Sequence, residues 1–353
     1  MSAKVKLGIV GMGAIGTIHA KAHQAVGEAE VTAVCDVNRA VLDKAAATFK
    51  VPNAYADYAD LIHSDVDAVA VCVGNALHRE VAVAAAEAGK HVFLEKPMAM
   101  NASEAAEIAA AVDKAGVVLQ MGMAWRFNPA AKVIREWVES GRLGEIYHVR
   151  AVLIRRRGIP GLGGWFTTKA ASGGGPLIDV GVHWFDLSMY MTGLWNPTAV
   201  SASTYAQFGP RMGQYTYVSM WAGPPRLDGV FDVEDYACGS VRFGRKASMT
   251  FDIAWAANAT QESHIDILGS DGGVRFGDGA VKVLTEHAGR VADIEPQFSK
   301  DGNGYEGEAR AFLAACRGEA PSAATAAQGV TVMKLIDGVY ASAEAGREVA
   351  LDA

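Results

Sequence analysis

The segment Gly11-Met12-Gly13-Ala14-Ile15-Gly16 spaces three glycines as GxGxxG. In that pattern the first glycine allows a tight turn, the second lets backbone approach a pyrophosphate, and the third brings helix close to strand. The phosphates then face a helix N-terminus, where unpaired N–H groups and the helix dipole favour anions. Asp36 stands twenty residues beyond Gly16. There a carboxylate can accept a bond from a ribose 2′-hydroxyl and repels a 2′-phosphate. Alone, Asp36 reads as a solvated turn residue; after a glycine loop, it reads as a ribose ligand. NAD is the expected cofactor. Arg39 leaves NADP open, since a guanidinium can turn onto a phosphate.

Glu95-Lys96-Pro97 follows the apolar run His91–Leu94, so it belongs at the carboxyl edge of a sheet, where ligands bind. The proline permits a cis bond that sends Lys96 in an unusual direction. The plainer reading is a strand-end Lys–Glu surface pair, worth little. A second constellation runs from Gly173-Gly174-Gly175-Pro176 to Asp186. Pro176 suits the first turn of a helix and Gly193 its end. Asp179, His183, Asp186 and Tyr190 are four, three and four apart, which predicts one polar face on an otherwise apolar helix. A buried polar stripe needs partners or a purpose. For Asp186 and Tyr190 the preferred reading is a satisfied structural network. A metal on Asp179 and His183 would lack further clustered ligands, so no metal site is expected. His19 and His23, spaced HxxxH after the glycine loop, are expected to pack or face solvent. Arg155-Arg156-Arg157 reads as an anion contact or as a solvated edge. Trp165, in a glycine-rich loop, either stacks on a sugar face or anchors its loop.

These residues need elements to hold them. Val5–Val10, Val31–Cys35, Ala68–Val73, His91–Leu94 and Val117–Met121 are short apolar runs. Between them Ala14–Ala25, Arg39–Thr48, Arg79–Ala88 and Ala102–Ala115 show helical spacing; Tyr55 and Tyr58–His63 form a linker with a short helix. Strict alternation with continuously apolar strands predicts a doubly wound parallel sheet, an α/β dinucleotide-binding domain over residues 1–123. After Asn128 the pattern changes. A helix at Pro129–Ser140 is followed by strand-like runs at Ile146–Arg155, Thr198–Phe208, Tyr236–Phe243, Ala247–Ala256 and Ser263–Leu268. Val274–Phe276 and Val281–Leu284 are joined by a Gly277-Asp278-Gly279 turn. Two helices, near Glu306–Cys316 and Ala323–Ala345, close the chain. Residues 124–353 are therefore expected to form an α+β domain on a large, mostly antiparallel open sheet.

At about 150 residues per domain, 353 residues also suggest two domains. A net charge of −7 disfavours a nucleic-acid binder, which needs a basic footprint. The 39 glycines and 11 prolines are too few for low-complexity disorder. Cys35, Cys72, Cys238 and Cys316 form no CxxC and read as buried thiols of a reduced cytosol. No apolar run approaches the roughly 20 residues that span a bilayer. Lys4, Lys6 and the run Leu7–Ile18 imitate a leader peptide, yet glycines 8, 11, 13 and 16 interrupt that run. A cytoplasmic protein with no membrane partner is expected.

Together these residues resemble the glucose–fructose oxidoreductase / inositol dehydrogenase family, Gfo/Idh/MocA, over essentially the whole chain. The resemblance rests on GxGxxG with Asp36, Asp67-Ala68-Val69, Ala88-Gly89-Lys90-His91-Val92, Glu95-Lys96-Pro97 and the glycine-rich Asp179–His183 helix. Trp125-Arg126-Phe127-Asn128-Pro129 looks like the family's arginine–phenylalanine motif, and Val233-Glu234-Asp235 like one in its second domain. It implies a Rossmann domain, a hydride exchanged between nicotinamide and a sugar, cyclitol or related polyol, and catalytic roles for Lys96, Asp179 and His183. A histidine that titrates near neutrality suits removal of the hydroxyl proton. Asp179 would orient His183 or hold a neighbouring hydroxyl, and Lys96 would favour negative charge on the reacting oxygen. Gly11, Met12, Gly13, Ala14, Ile15, Gly16, Asp36, Val37, Arg39, Val73, Gly74, Asn75, His78, Glu95, Lys96, Met123 and Arg126 would contact cofactor. Substrate contacts would come from Lys96, Arg126, Trp165, Asp179 and His183. One departure is Gly74-Asn75 where the family usually has proline–asparagine; glycine loosens that turn. The resemblance further implies a homodimer or homotetramer covering the open sheet. Its members that keep NAD bound and cleave glycosides by transient oxidation offer a second enzymatic reading. A non-catalytic NAD-binding regulator is a third.

Overall fold

The computed structural model describes residues 4–218, 222–277, 280–299 and 303–351. The chain divides into two compact units, Met1–Phe127 with Gly302–Val330 and Asn128–Asp301 with Thr331–Ala353.

In the first unit strands and helices alternate: β1 (Val5–Val10), α1 (Ala14–Val26), β2 (Ala29–Cys35), α2 (Arg39–Phe49), β3 (Asn53–Tyr55), α3 (Tyr58–Ile62), β4 (Ala68–Val71), α4 (His78–Glu87), β5 (His91–Glu95), α5 (Ala102–Ala115) and β6 (Leu119–Gly122). The strands pair in parallel in the order β3-β2-β1-β4-β5-β6. Every residue of β4 is buried, which is why that strand reads as an unbroken apolar run. The helices start where side chains can satisfy their first N–H groups: Asn38 accepts from Ala40 and Val41, Asp57 from Ala59, and Asn101 from Glu104. Strand order reverses between β1 and β4, the switch point beside which such sheets bind ligands. The linker at Tyr55 is instead β3, a three-residue edge strand on β2 too short to show a period.

The second unit opens with α6 (Pro129–Glu139), whose cap Asn128 accepts from the Ala130 amide, then β7 (Ile146–Ile154), α7 (Lys169–Ser172) and α8 (Val182–Thr192). It continues with β8 (Ala199–Tyr205), β9 (Tyr236–Phe243), β10 (Ala247–Ala254), β11 (Glu262–Gly269), β12 (Gly273–Gly277), β13 (Ala280–His287) and β14 (Arg290–Ile294). The chain then enters α9 (Gly304–Cys316), which packs on α1 in the first unit. Next, α10 (Ala326–Ala345) begins in the first unit and ends in the second, before β15 (Val349–Ala350). The nine strands form one sheet in the order β14-β13-β12-β11-β7-β10-β9-β8-β15. Among the described residues, β7 with β10 is the one parallel pair of this sheet. Along β10, Met249, Phe251 and Ile253 are buried while Ser248, Thr250 and Asp252 face outward. On the buried face Phe185 of α8 meets Phe251 edge-on, ring centroids 5.1 Å apart. Positions 278 and 279 of the expected turn lie outside the described residues. Strands β14 and β15 carry no alternation that marks them in the sequence. No helix among the described residues is long and apolar enough to cross a membrane.

Candidate active site

β1 ends at Val10, and the chain turns at Gly11 with φ +90°. A Cβ there would stand 2.5 Å from the Cys72 carbonyl oxygen, and one on Gly16 would overlap the Gly11 carbonyl oxygen. Gly13 is different. Nothing among the described residues lies within 4 Å of where its Cβ would be. The fold itself thus requires the first and third glycines, whereas the second keeps open a space next to the start of α1. That helix has no side-chain cap and no acidic residue in its first turn, so its first N–H groups remain available to an anion.

Asp36 stands against this loop. Its Oδ2 accepts the Met12 N–H at 2.9 Å and its Oδ1 the Asn38 N–H at 2.8 Å. A carboxylate offers about four acceptor positions, so two contacts leave capacity for a ribose hydroxyl. Val37 beside it is 92% exposed. Arg39 is also exposed and pairs with Asp43 on its own helix at 2.9 Å. Met12 and Gly16 are buried, Ile15 is half-buried, and Ala14 is exposed. The residues present therefore fit a dinucleotide with a free ribose hydroxyl.

Across the switch point, Val73 is half-buried and Gly74 has φ −68° and ψ 149°. That backbone suits proline as well as glycine. Asn75 is buried. His78 is 1% exposed, with Nδ1 2.7 Å from the Pro97 carbonyl oxygen and Nε2 3.1 Å from that of Val73. It braces the turn after β4 against the Lys96-Pro97 segment after β5. Burial lowers its pKa, opposed by those two carbonyls. Lys96 is half-buried at the end of β5, and its bond to Pro97 is cis. Met123 is buried. Arg126 is buried too, donating to the Ala323 carbonyl oxygen at 2.7 Å and Gln328 Oε1 at 2.8 Å.

In the second unit the expected polar stripe takes a different form. Leu177–Gly181 winds as a π-turn, and the α-helix proper begins only at Val182. The extra residue per turn shifts Asp179 in phase against His183, so the four polar residues do not share one α-helical stripe. Asp179 and His183 are half-buried, whereas Asp186 is 2% exposed. Tyr190 lies under the Arg135 guanidinium, 4.5 Å from its ring centre. Asp179 Oδ2 accepts the indole N–H of Trp255 at 3.0 Å. Arg155 is the nearby cation: burial lowers its pKa and the charge of Asp179 opposes this. Trp165 is 47% exposed and stacks on Phe166 with centroids 3.8 Å apart. Arg157 lies over the Phe208 ring and reaches Asn258 Oδ1.

Sequence reasoning missed what holds the π-turn. Glu234 accepts the Gly175 N–H at 3.0 Å, the Leu177 N–H at 3.1 Å and the Tyr340 hydroxyl at 3.0 Å. A carboxylate from a distant segment thus caps this helix start. Burial raises its pKa, against those same donors. Asp235 likewise gathers the N–H groups of Gln207, Phe208 and Gly209. His19 and His23 both pack with 0% exposure. His19 Nε2 meets Glu95 Oε1 at 2.5 Å, and its Nδ1 faces Glu308 Oε1 at 3.8 Å. Their motifs signalled none of these partners, because each lies far away in sequence.

The first unit is a doubly wound parallel sheet with a glycine turn at its switch point and the Asp36 carboxylate against that turn. Residues 5–123 match the family model described as "Oxidoreductase family, NAD-binding Rossmann fold", and residues 131–275 match that of the "GFO/IDH/MocA C-terminal domain". The chain belongs to the Gfo/Idh/MocA family of NAD-binding oxidoreductases. Among its relatives, D-glucoside 3-dehydrogenase of Escherichia coli is 30% identical over 99% of this chain and 98% of its own length. Myo-inositol 2-dehydrogenase of Thermotoga maritima is 34% identical over 54% of this chain and 55% of its own. A levoglucosan dehydrogenase solved with NADH and levoglucosan shares the fold, with a TM-score of 0.88 at 22% identity, covering 99% of this chain and 100% of that one.

Proposed function

We propose that this protein is an NAD-dependent dehydrogenase that oxidises a ring hydroxyl of a sugar, with D-glucosides and their 3-hydroxyl as the first candidates. The observation that carries this reading is the similarity to D-glucoside 3-dehydrogenase, which spans both units. The open cradle at Gly13 and the Asp36 carboxylate support NAD as cofactor. When bound, NAD supplies the hydride acceptor. The chain's own residues handle the proton and the oxygen. His183 would take the hydroxyl proton, as an imidazole near neutrality can. Asp179, held by the Trp255 indole, would orient His183 or a neighbouring hydroxyl. The Lys96 ammonium would hydrogen-bond the reacting oxygen and stabilise its developing negative charge.

Substitution separates these roles. His183→Ala should lower kcat by about 10²- to 10⁴-fold, the usual worth of general acid–base catalysis, while NADH affinity stays unchanged. Equal losses of both would assign His183 to folding. Identification of a 3-keto product by NMR would fix the carbon oxidised. Oxidation elsewhere on the ring would rule out the 3-hydroxyl. We propose also that a second copy covers the outward face of the nine-stranded sheet, giving a homodimer or homotetramer. Its support is that open face, where His148, Ser248, Thr250 and Ser240 point outward. Light scattering on the eluted protein tests this; a monomer at assay concentration would refute it.

A further inference from the structure

Three ionisable groups meet in the core of the first unit. His19 on α1, Glu95 at the end of β5 and Glu308 on α9 expose 0%, 6% and 0% of their surface. Glu95 uses both oxygens: Oε1 lies 2.5 Å from His19 Nε2, and Oε2 accepts the backbone N–H of Lys96 at 3.1 Å. His19 Nδ1 and both Glu308 oxygens have no hydrogen-bond partner among the described residues, and the two face each other at 3.8 Å. We propose that His19 and Glu308 are positioning residues that act on Lys96 through Glu95. The inference rests on the reading of Lys96 as a catalytic residue.

A buried carboxylate that holds the amide of the next residue sets where that residue's side chain departs from the backbone. Here the carboxylate is itself held by His19 Nε2, and the other ring nitrogen, Nδ1, faces Glu308 Oε1 at 3.8 Å. Burial and the charge of Glu95 raise Glu308 well above the usual carboxylate range. Two full negative charges without a cation would be prohibitive at this depth. Around His19 lie Phe93 of β5, Tyr305 of α9 and His23 of its own helix. Burial lowers the pKa of His23 to about 3 and raises that of Tyr305, so neither carries charge near neutrality. A divalent ion bound by the same three side chains would need Nε2 and Glu95 Oε1 apart, whereas they touch. The helix that opens the cofactor cradle and the strand that bears Lys96 are thereby joined by one hydrogen-bonded chain.

The test uses the full-length protein with lysines reductively methylated by ¹³C-formaldehyde and the Lys96 signal assigned by its loss in Lys96→Arg. His19→Ala and Glu308→Ala should displace the Lys96 resonance and leave NADH affinity unchanged. In both, kcat should fall by about 10- to 100-fold, the cost of a small misplacement. Glu308→Gln, which keeps a neutral donor, should restore resonance and turnover together. Folded alanine variants with the wild-type Lys96 signal would overturn the inference, as would one equivalent of divalent metal on the purified protein that both variants lose. If no substrate turns over, the resonance still decides this inference, while the proposed activity fails by itself.

Discussion

Gly13→Ala and Gly16→Ala, which differ in what the added Cβ would meet, test the reading of the glycine loop as the cofactor cradle. At Gly16 the new Cβ would run into the Gly11 carbonyl oxygen. Backbone must move, and overpacking of this kind costs about 1–3 kcal/mol or more of stability. At Gly13 the Cβ meets nothing among the described residues within 4 Å, and φ is −64°, a value alanine adopts without strain. The loss of unfolded-state freedom alone should stabilise the free protein by about 0.4–1 kcal/mol. On the proposed reading, NADH needs that space for its pyrophosphate. A steric cost of about 1–3 kcal/mol on binding corresponds to about 5- to 150-fold weaker affinity. Thermal unfolding with and without NADH, combined with a fluorescence titration, reads both effects. Gly13→Ala should melt at or above wild type and bind NADH poorly; Gly16→Ala should melt lower. Wild-type NADH affinity in folded Gly13→Ala would refute the assignment of the cradle to the pyrophosphate.

Three further outcomes follow from the same contacts. Trp255→Phe keeps a fully buried ring but removes the indole donor to Asp179, so kcat/KM should fall by about 10- to 150-fold, the worth of a hydrogen bond to a charged group; unchanged kcat/KM would remove Asp179 from the chemistry. His23 has both ring nitrogens without hydrogen-bond partners among the described residues, and burial lowers its pKa from 6.5 to about 3. Since the unfolded chain binds that proton first, its contribution is complete above about pH 6.5 and is lost as pH falls toward 3. His23→Leu should therefore gain stability over wild type more at pH 5 than at pH 8, and equal gains at both would contradict the neutral buried histidine. Gly74→Ala, at φ −68° with open space around its Cβ, should stabilise by about 0.4–1 kcal/mol in denaturant unfolding; destabilisation would show that the turn needs glycine.

The first unit was largely legible because its physics is local. A strand buried on both faces must be apolar throughout, as β4 is, and a glycine needed for a turn or a close contact leaves a residue-type mark, as Gly11 and Gly16 do. A fixed spacing also picks out Asp36, which stands against the glycine loop. What escaped was non-local. Glu234 caps the helix start at Gly175 and Leu177 from 59 and 57 residues away, and Glu95 meets His19 across 76. No local pattern records such pairings. The π-turn at Leu177–Gly181 escaped for another reason: one added residue changes phase without changing composition, so a four-three-four spacing looked like a single α-helical face. The strand order of the large sheet, with β7 between β11 and β10, depends on pairings that a period-two pattern cannot specify.

The proposed activity is oxidation of a sugar hydroxyl with NAD. The most direct test follows NADH absorbance after purified protein is mixed with NAD and D-glucosides, with inositols and anhydrosugars alongside. The account predicts NADH formation with a D-glucoside that His183→Ala abolishes while that variant still binds NADH. Tight NADH binding with no NADH formed from any of these sugars would contradict it.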